Sequence, residues 1–227
     1  MSAPDLAPDF YDAWVAMARR LGADPLDIAR VAHAETAMLQ RATDPRSNAG
    51  GIFPFMPSTL RGLGWTGTPE QFRELSPVEQ LPWVERYLAP HAGYLKNDGL
   101  VYVVTFTPAY IQRAAASDDS FVIARAGSNI YDSNRILDRN GDGAITTGDL
   151  RVHLAAQNRG PRFATIEQEL RARGSGGSPA IAGAARRNFV PLAIALGALG
   201  TWYLYGTAEG RRLRQGAERR IERLART

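Results

Sequence analysis

The stretch "NAGGIFPFMPSTLRGLG", residues 48–64, fits neither an ordinary helix nor an ordinary surface loop. Two glycines lead into an apolar run in which Pro54 and Pro57 bracket Phe55 and Met56. A core helix rejects internal prolines, and a solvent-exposed loop has no need of so many large apolar side chains. The stretch therefore predicts a stiff, irregular segment with apolar side chains packed beneath it.

Helical patterns surround this segment, and we expect a mostly α domain over residues 9–173. Asp9 is predicted to cap a first helix, and Asp24 with Pro25 is predicted to begin a second that runs to about Gln40. Further helices are expected near residues 57–63, 77–95 and 99–115. No segment alternates between apolar and polar residues over a long span, so strands should be few and short.

Glu35 lies on the apolar stripe of the second predicted helix, with Ile28, Val31 and Ala32 at helical spacing before it. A carboxyl group in that place loses hydration, which raises its pKa and favours its neutral form. A protonated carboxylic acid is what a general acid for glycosidic cleavage must be. The alternative is that Glu35, close to the end of the helix, simply emerges into solvent.

The order of motifs resembles the lysozyme-like lytic transglycosylases (the SLT family), whose pattern is roughly E-S followed by G-L-x-Q-F-M-P-S-T. Here Glu35-Thr36 is followed by "GIFPFMPST", residues 51–59, and the matching positions are Gly51, Phe55, Met56, Pro57, Ser58 and Thr59. Two downstream stretches, which begin "GWTGTPEQF" and "VYVVTFTPAY", look like the phage-associated branch of that family. The resemblance spans roughly residues 10–157.

The resemblance implies a lysozyme-like transglycosylase that cleaves the β-1,4 bond between N-acetylmuramic acid and N-acetylglucosamine in peptidoglycan. Glu35 would be the single catalytic acid and base: it protonates the glycosidic oxygen and then removes the 6-hydroxyl proton, which gives a 1,6-anhydro product. No cofactor is expected for this reaction, and hydrolysis by the same acid is the near alternative. The implied substrate-binding residues are Thr36, Gly51, Ile52, Phe55, Met56, Ser58, Thr59 and Tyr110.

Two departures from the family pattern keep a different class of function open. Pro54 stands where the family has glutamine, and Ile111 stands where the A-Y-N motif has asparagine. Each change removes a polar side chain. The alternative is a catalytically weak or inactive structural protein of the virion or tail that binds glycan.

The segment "DRNGDGAITTGD", residues 138–149, matches the EF-hand calcium loop at nearly every place. The predicted oxygen ligands are Asp138, Asn140, Asp142, the carbonyl of Ala144, and Asp149. Gly143 permits the sharp turn, and Asp149 replaces the usual glutamate with a shorter arm. We expect a structural calcium ion here; the alternative is an Asx-rich turn that binds no metal.

The C-terminal part of the chain has a different composition. Residues 174–185 are predicted to be a flexible linker, 186–206 a transmembrane helix, and 207–227 a basic amphipathic tail. The tail holds seven arginines and three glutamates, a balance of +4 that equals the net charge of the whole chain. The remaining residues sum to zero, so a nucleic-acid-binding body is not indicated. The alternative for the apolar run is a helix packed against a partner protein.

These features together predict a phage-encoded protein with one membrane span near its C-terminus, in a virion or in the bacterial inner membrane. The catalytic domain would face the cell wall and open it locally. The expected partners are peptidoglycan glycan strands, the membrane and other virion proteins. A bacterial enzyme that remodels its own wall is a further alternative.

Overall fold

The computed structural model describes residues 6–45, 47–117 and 119–174, and this part of the chain is mostly helical. The α-helices are α1 (Pro8–Leu21), α2 (Pro25–Thr36), α3 (Pro57–Gly62), α4 (Pro69–Glu74), α5 (Pro77–Leu88), α6 (Asp98–Phe106), α7 (Ile111–Ala115), α8 (Asn129–Ser133), α9 (Thr147–Gln157) and α10 (Pro161–Gly174). Short 3₁₀ helices span Ala89–Tyr94, Pro108–Tyr110 and Arg135–Leu137, and the strands are β1 (Val122–Arg125) and β2 (Ala144–Thr146). For the described residues, the expectation of a mostly α domain with few, short strands is confirmed.

The starts of the first two helices test the capping predictions. Asp24 caps α2 as predicted, because its carboxylate accepts a hydrogen bond from the Leu26 amide at 2.8 Å. The prediction for Asp9 is wrong, since Ala7 occupies the N-cap of α1. Asp9 lies in the first turn instead, where its carboxylate accepts from the Phe10 amide at 3.0 Å and its charge favours the positive end of the helix dipole.

Three predicted helices end earlier than expected. The helix predicted to reach Gln40 stops at Thr36, where the chain turns sharply. The helix predicted over residues 77–95 gives way to a 3₁₀ helix after Leu88, and the one predicted over 99–115 breaks at Thr107. The last break has a local cause: Thr107 precedes a proline, and the residue before a proline is driven out of the helical conformation.

Helix α6 lies at the centre of the domain, and each of its residues is buried. A short helix that is apolar all round is stable only when other elements cover it on every side. Helices α2 and α9 both pack against α6 and against each other, and α2 also packs against α1 and α10. This arrangement brings α2, which carries Glu35, into the middle of the fold.

The two strands pair antiparallel, with Arg125 opposite Ala144 and Ala124 opposite Ile145. Strand β2 lies in the second half of the 138–149 loop, and Ile145 is fully buried. The strand pairing and this anchor hold the loop against the helical core. Helix α9 then begins immediately after β2.

No helix within the described part of the chain is both long and apolar enough to cross a membrane. The transmembrane helix predicted for residues 186–206, and the basic tail predicted for 207–227, lie outside the described residues. The same is true of the predicted linker beyond Gly174, where α10 ends.

Candidate active site

Glu35 lies in the last turn of α2, next to its final residue, and its side chain is only partly exposed. Burial raises the pKa of its carboxyl group, because the charged form loses hydration. A hydrogen bond with Tyr102 acts in the opposite direction and lowers that pKa, but burial is the larger effect. The side chain is thus partly withdrawn from solvent and not fully exposed.

The hydroxyl group next to Glu35 comes from Tyr102, on α6. Burial and the negative charge of Glu35 raise the pKa of Tyr102 well above its usual value, so the hydroxyl keeps its proton. It is then a hydrogen-bond donor to the carboxylate. Tyr102 is 6 % exposed, and its ring lies in the core between α6 and its neighbours. The hydrogen bond between Glu35 and Tyr102 thus joins a partly exposed acid on α2 to the buried helix α6.

The chain turns sharply immediately after Glu35. Ala37 and Met38 both have a φ of 53°, in the left-handed region that side chains other than glycine rarely adopt. Arg162 on α10 holds the turn, because its Nε donates to the Ala37 carbonyl at 2.6 Å and a terminal nitrogen donates to the Met38 carbonyl at 3.3 Å. Strained backbone of this kind often lies at functional sites, where surrounding contacts stabilise it.

Thr36 links α2 to the 51–59 segment. Its Oγ1 lies 2.9 Å from the Ile52 carbonyl oxygen and 2.9 Å from that of Ala32, and it accepts from the Met38 amide at 3.2 Å. The predicted substrate-binding residue Thr36 therefore makes structural contacts that place residue 52 beside the acid. These bonds tie the backbone at Ile52 to the residue that follows Glu35.

Gly50 and Gly51 lie so close to neighbouring atoms that neither position has room for a side chain. A Cβ atom on Gly50 would lie 1.9 Å from the Ala42 carbonyl oxygen. Gly51 has a φ of +99°, and a Cβ atom there would lie 2.7 Å from Oε1 of Gln80. Gly50 also exchanges hydrogen bonds with Phe55, at 3.0 and 3.3 Å, which folds the segment back on itself.

A buried amide supports the segment from below. Gln80, on α5, is fully buried, and its Oε1 accepts from the Ile52 amide at 2.8 Å. Its Nε2 donates to the carbonyls of Gln40 at 3.2 Å and Leu75 at 3.0 Å. These bonds satisfy backbone groups that would otherwise be buried without partners. Gln80 therefore ties the backbone at Ile52 to α5.

Several predicted substrate-binding side chains are core residues. Ile52, Phe55 and Met56 are 0, 2 and 7 % exposed, which leaves backbone groups as the part of this run that can meet a ligand. Ser58 is exposed and Thr59 partly exposed, in the first turn of α3. The expectation of apolar side chains packed beneath the segment is confirmed.

Tyr110 and Ile111 lie where the A-Y-N motif was matched. The Tyr110 ring packs edge-on against Phe121, with centroids 6.3 Å apart, and Arg113 lies over both rings at 5.9 and 5.5 Å. Ile111 is 3 % exposed and belongs to the core, so this position offers no polar side chain. The hydrogen bond to Glu35 comes from Tyr102, which the sequence analysis did not single out.

An ion-pair cluster sets the positions of the three central helices. Asp98, at the start of α6, lies 3.6 Å from Arg30 on α2 and 3.2 Å from Arg151 on α9. Arg30 also pairs with Asp27 at 2.9 Å. Burial, with the nearby charges of Asp24 and Asp98, raises the pKa of Asp27 to about 6, although Arg30 acts to lower it. An open depression of about 690 Å³ lies beside this cluster, and it is lined by Arg30, Asp98, Asp119, Arg139, Asn140, Thr146, Gly148, Asp149, Arg151, Val152 and Ala155.

The predicted calcium loop has the expected backbone turn, but its carboxylates accept hydrogen bonds from the loop's own backbone amides. Gly143 has a φ of +83°, as the sharp turn requires. The Asp138 carboxylate accepts from the amides of Gly141 at 2.7 Å and Gly143 at 3.0 Å. The Tyr131 hydroxyl also donates to it, at 2.7 Å. Asp138 is therefore held in the loop by three donors.

The remaining predicted ligands follow the same pattern. The Asp142 carboxylate accepts from the Ala144 amide at 2.9 Å, and Asn140 Oδ1 accepts from the Asp142 amide at 3.0 Å. Asp149 forms a capping box with Thr146 at the start of α9. Within the described residues, no three carboxylate or imidazole side chains come together as a metal site. The donor types and the loop backbone fit calcium, whereas the carboxylates are turned towards loop amides.

Three buried polar side chains of the domain were not predicted as site residues: Gln80, Tyr102 and His153. His153, on α9, shares a buried face with Leu150 and Leu154, which is the same signal that drew attention to Glu35. Burial and the charge of Arg139 lower the pKa of its imidazole, which is therefore neutral at neutral pH. A polar residue on an apolar stripe is the one sequence signal that finds Gln80 and His153.

The arrangement places a desolvated carboxyl group with a raised pKa beside a hydroxyl donor, in the last turn of α2. A desolvated acid with a single hydroxyl donor is suited to general acid chemistry, because its pKa lies closer to the working pH. Comparisons with protein-family models, with curated proteins and with solved structures found no match for this chain.

Proposed function

We propose that the chain is a peptidoglycan lytic transglycosylase with a lysozyme-like domain and Glu35 as its single acid and base. The observation that carries the proposal is the partly buried carboxyl group of Glu35, whose pKa is raised by burial and which is hydrogen-bonded to Tyr102. The backbone at Ile52, which is hydrogen-bonded to Gln80 and to Thr36, the residue after Glu35, supports it, since a rigid segment suits the binding of an extended glycan.

In the proposed reaction, protonated Glu35 donates its proton to the glycosidic oxygen as the bond to the anomeric carbon breaks. The substrate's own acetamido group meets the developing positive charge, so a second carboxylate is not required. Ionised Glu35 then accepts the proton of the 6-hydroxyl group, which attacks the anomeric carbon and closes the 1,6-anhydro ring. The Tyr102 hydroxyl stabilises Glu35 in its ionised form between the two transfers.

A calcium ion held by Asp138, Asn140, Asp142, the Ala144 carbonyl and Asp149 belongs to the same proposal as a structural element. Those residues would have to exchange some of their present amide bonds for the ion. Attachment to a membrane through residues 186–206, with the domain facing the cell wall, is likewise proposed on sequence grounds alone. Phage origin and contact with other virion proteins are proposed on the same grounds.

The test is mass spectrometry of the soluble fragments released from purified peptidoglycan. The wild-type chain is expected to release anhydro-muropeptides, and Glu35→Gln, which is nearly isosteric, is expected to release none. Hydrolytic products that carry a reducing end would change the assigned reaction from transglycosylation to hydrolysis. Release of the same fragments by Glu35→Gln would exclude Glu35 as the acid.

A second candidate function is glycan binding without cleavage. The buried Ile111 favours it, because this position has no polar group to offer a substrate, and Pro54 likewise has no side-chain amide. Three results would support this candidate. The wild-type chain binds insoluble peptidoglycan in a pull-down but releases no fragments, and the Glu35→Gln variant binds as well as the wild type.

A further inference from the structure

His153 contacts the residue that contacts Glu35. Its ring and that of Tyr102 are nearly parallel, with an interplanar angle of 15° and centroids 6.2 Å apart. Tyr102 in turn is hydrogen-bonded to Glu35 through its hydroxyl group. The three side chains come from α9, α6 and α2, which pack against one another in pairs.

His153 contacts Tyr102 through the face of its imidazole ring. Within the described part of the chain, the buried Nδ1 of His153 has no hydrogen-bond partner. A buried polar atom without a partner costs free energy, so this nitrogen does not stabilise the fold. The planar face of the imidazole is what remains to act on Tyr102.

The position of the phenol ring matters because the hydroxyl group sits at its far end. A small rotation of a long, rigid side chain moves its terminal atom away from a hydrogen-bond partner, and such bonds weaken steeply with distance and angle. Phe106 is the other ring next to Tyr102, with centroids 6.3 Å apart at 35°. Phe106 comes from the same helix, so His153 is the ring contact that α9 contributes.

We propose that His153 is a positioning residue, which holds the Tyr102 ring where its hydroxyl group reaches Glu35. The inference deepens the proposed function and rests on it for its catalytic meaning. Because Asp149, the last residue of the 138–149 loop, lies in the first turn of α9, the orientation of that loop and helix then bears on the acid as well. The ion pairs of Asp98 with Arg30 and Arg151 join the same three helices.

The simpler reading is that His153 only fills space in the core. Three substitutions separate the two readings. His153→Phe keeps a planar ring and removes the unpartnered nitrogen, His153→Leu keeps apolar bulk without a plane, and His153→Ala removes both. A space-filling role predicts that Leu substitutes as well as Phe, whereas a positioning role predicts that Leu behaves like Ala.

The measurement is the pKa of the Glu35 carboxyl group, followed by ¹³C NMR in the full chain labelled at glutamate, with Glu35→Gln to assign the signal. We expect His153→Ala and His153→Leu to raise this pKa towards the value in Tyr102→Phe, and His153→Phe to leave it unchanged. In a Tyr102→Phe background, His153→Ala should have no further effect. Turnover of peptidoglycan should fall roughly three- to tenfold in the Ala and Leu variants, with KM unchanged, as expected for loss of one aromatic contact.

The NMR measurement does not require catalysis, so the two proposals can fail separately. If the wild-type chain releases no muropeptides but the pKa follows the expected pattern, the proposed function is wrong and the positioning role stands. If His153→Leu retains the wild-type pKa and turnover, the positioning role is wrong whatever the enzyme does. Should His153→Ala fail to fold, by circular dichroism, the comparison of Leu with Phe decides alone.

Discussion

The hydroxyl group of Tyr102 on α6 is hydrogen-bonded to the carboxyl group of Glu35 on α2, and this single bond joins the buried centre of the domain to its candidate acid. Burial raises the pKa of the acid, and the tyrosine limits that rise by stabilising the ionised form. An acid that must donate a proton and then accept one needs both states within reach.

Removal of the Tyr102 hydroxyl group should raise the pKa of Glu35 further, because the carboxylate loses its donor. In Tyr102→Phe we expect the alkaline limb of the pH–rate profile to move to higher pH, since the acid stays protonated longer. Turnover near neutral pH should fall about tenfold or more, the size of a lost hydrogen bond to a charged group. Profiles of muropeptide release measure both. A limb that moves to lower pH would contradict the assigned direction.

Glu35→Gln should stabilise the fold at neutral pH while it abolishes cleavage. The folded-state pKa of Glu35 is raised, so ionising this group costs free energy in the folded state. The wild type does not bear this cost below the ordinary pKa of glutamate, and its free energy of unfolding falls as pH rises through the folded-state pKa. The amide never ionises, so the variant avoids this loss. Urea unfolding at acidic and neutral pH should show a difference in free energy that grows with pH. Equal stability at both pH values would mean that the carboxyl group is hydrated.

Asp27 should impose a pH dependence of its own on stability. Its pKa is raised from 3.8 to about 6, so the unfolded chain loses this proton first as pH rises. Stability should therefore fall between about pH 4 and pH 7, by up to about 3 kcal/mol from this one group. Asp27→Asn should remove that part of the slope in urea unfolding. Asp12→Asn, at a side chain that is 69 % exposed, is the matched control and should keep it.

The glycine turn should tolerate no side chain. Gly50→Ala places a Cβ atom 1.9 Å from the Ala42 carbonyl oxygen, so the 50–56 segment must move. We expect a loss of at least about 2 kcal/mol in the free energy of unfolding, together with loss of activity. Gly93→Ala is the control, because nothing lies within 4 Å of its Cβ position. Equal melting temperatures for the two variants would show that the segment adapts freely.

Calcium should raise the thermal unfolding midpoint of the full chain, and a chelator should reverse the effect. Binding to the folded state alone stabilises a protein by an amount that grows with the logarithm of the ligand concentration divided by its dissociation constant. Asp142→Asn should weaken the effect, since it removes one charged ligand, and Asp132→Asn, just outside the loop, should not. A midpoint that is the same with calcium and with chelator would mean that residues 138–149 form only an Asx-rich turn.

Local sequence signals predicted much of this domain, because they act over a few residues. Asp24 capped its helix, the short strands were expected, and the apolar side chains of the 51–59 segment are buried. One wrong prediction, the helix expected over residues 99–115, also has a local cause, because Thr107 precedes a proline. The end of α2 is different, since no nearby residue explains it: Arg162, far along the chain, holds the carbonyls of the turn.

The sequence by itself determined that Glu35 would lie on an apolar face, because helical spacing is a property of the chain alone. It also determined the spacing of the Asp and Asn side chains in the 138–149 loop. Only the tertiary structure decided that Tyr102 would contact Glu35, and that His153 would lie against Tyr102. Those contacts join residues on three helices far apart in the chain, and helix packing, which no local spacing encodes, brings them together.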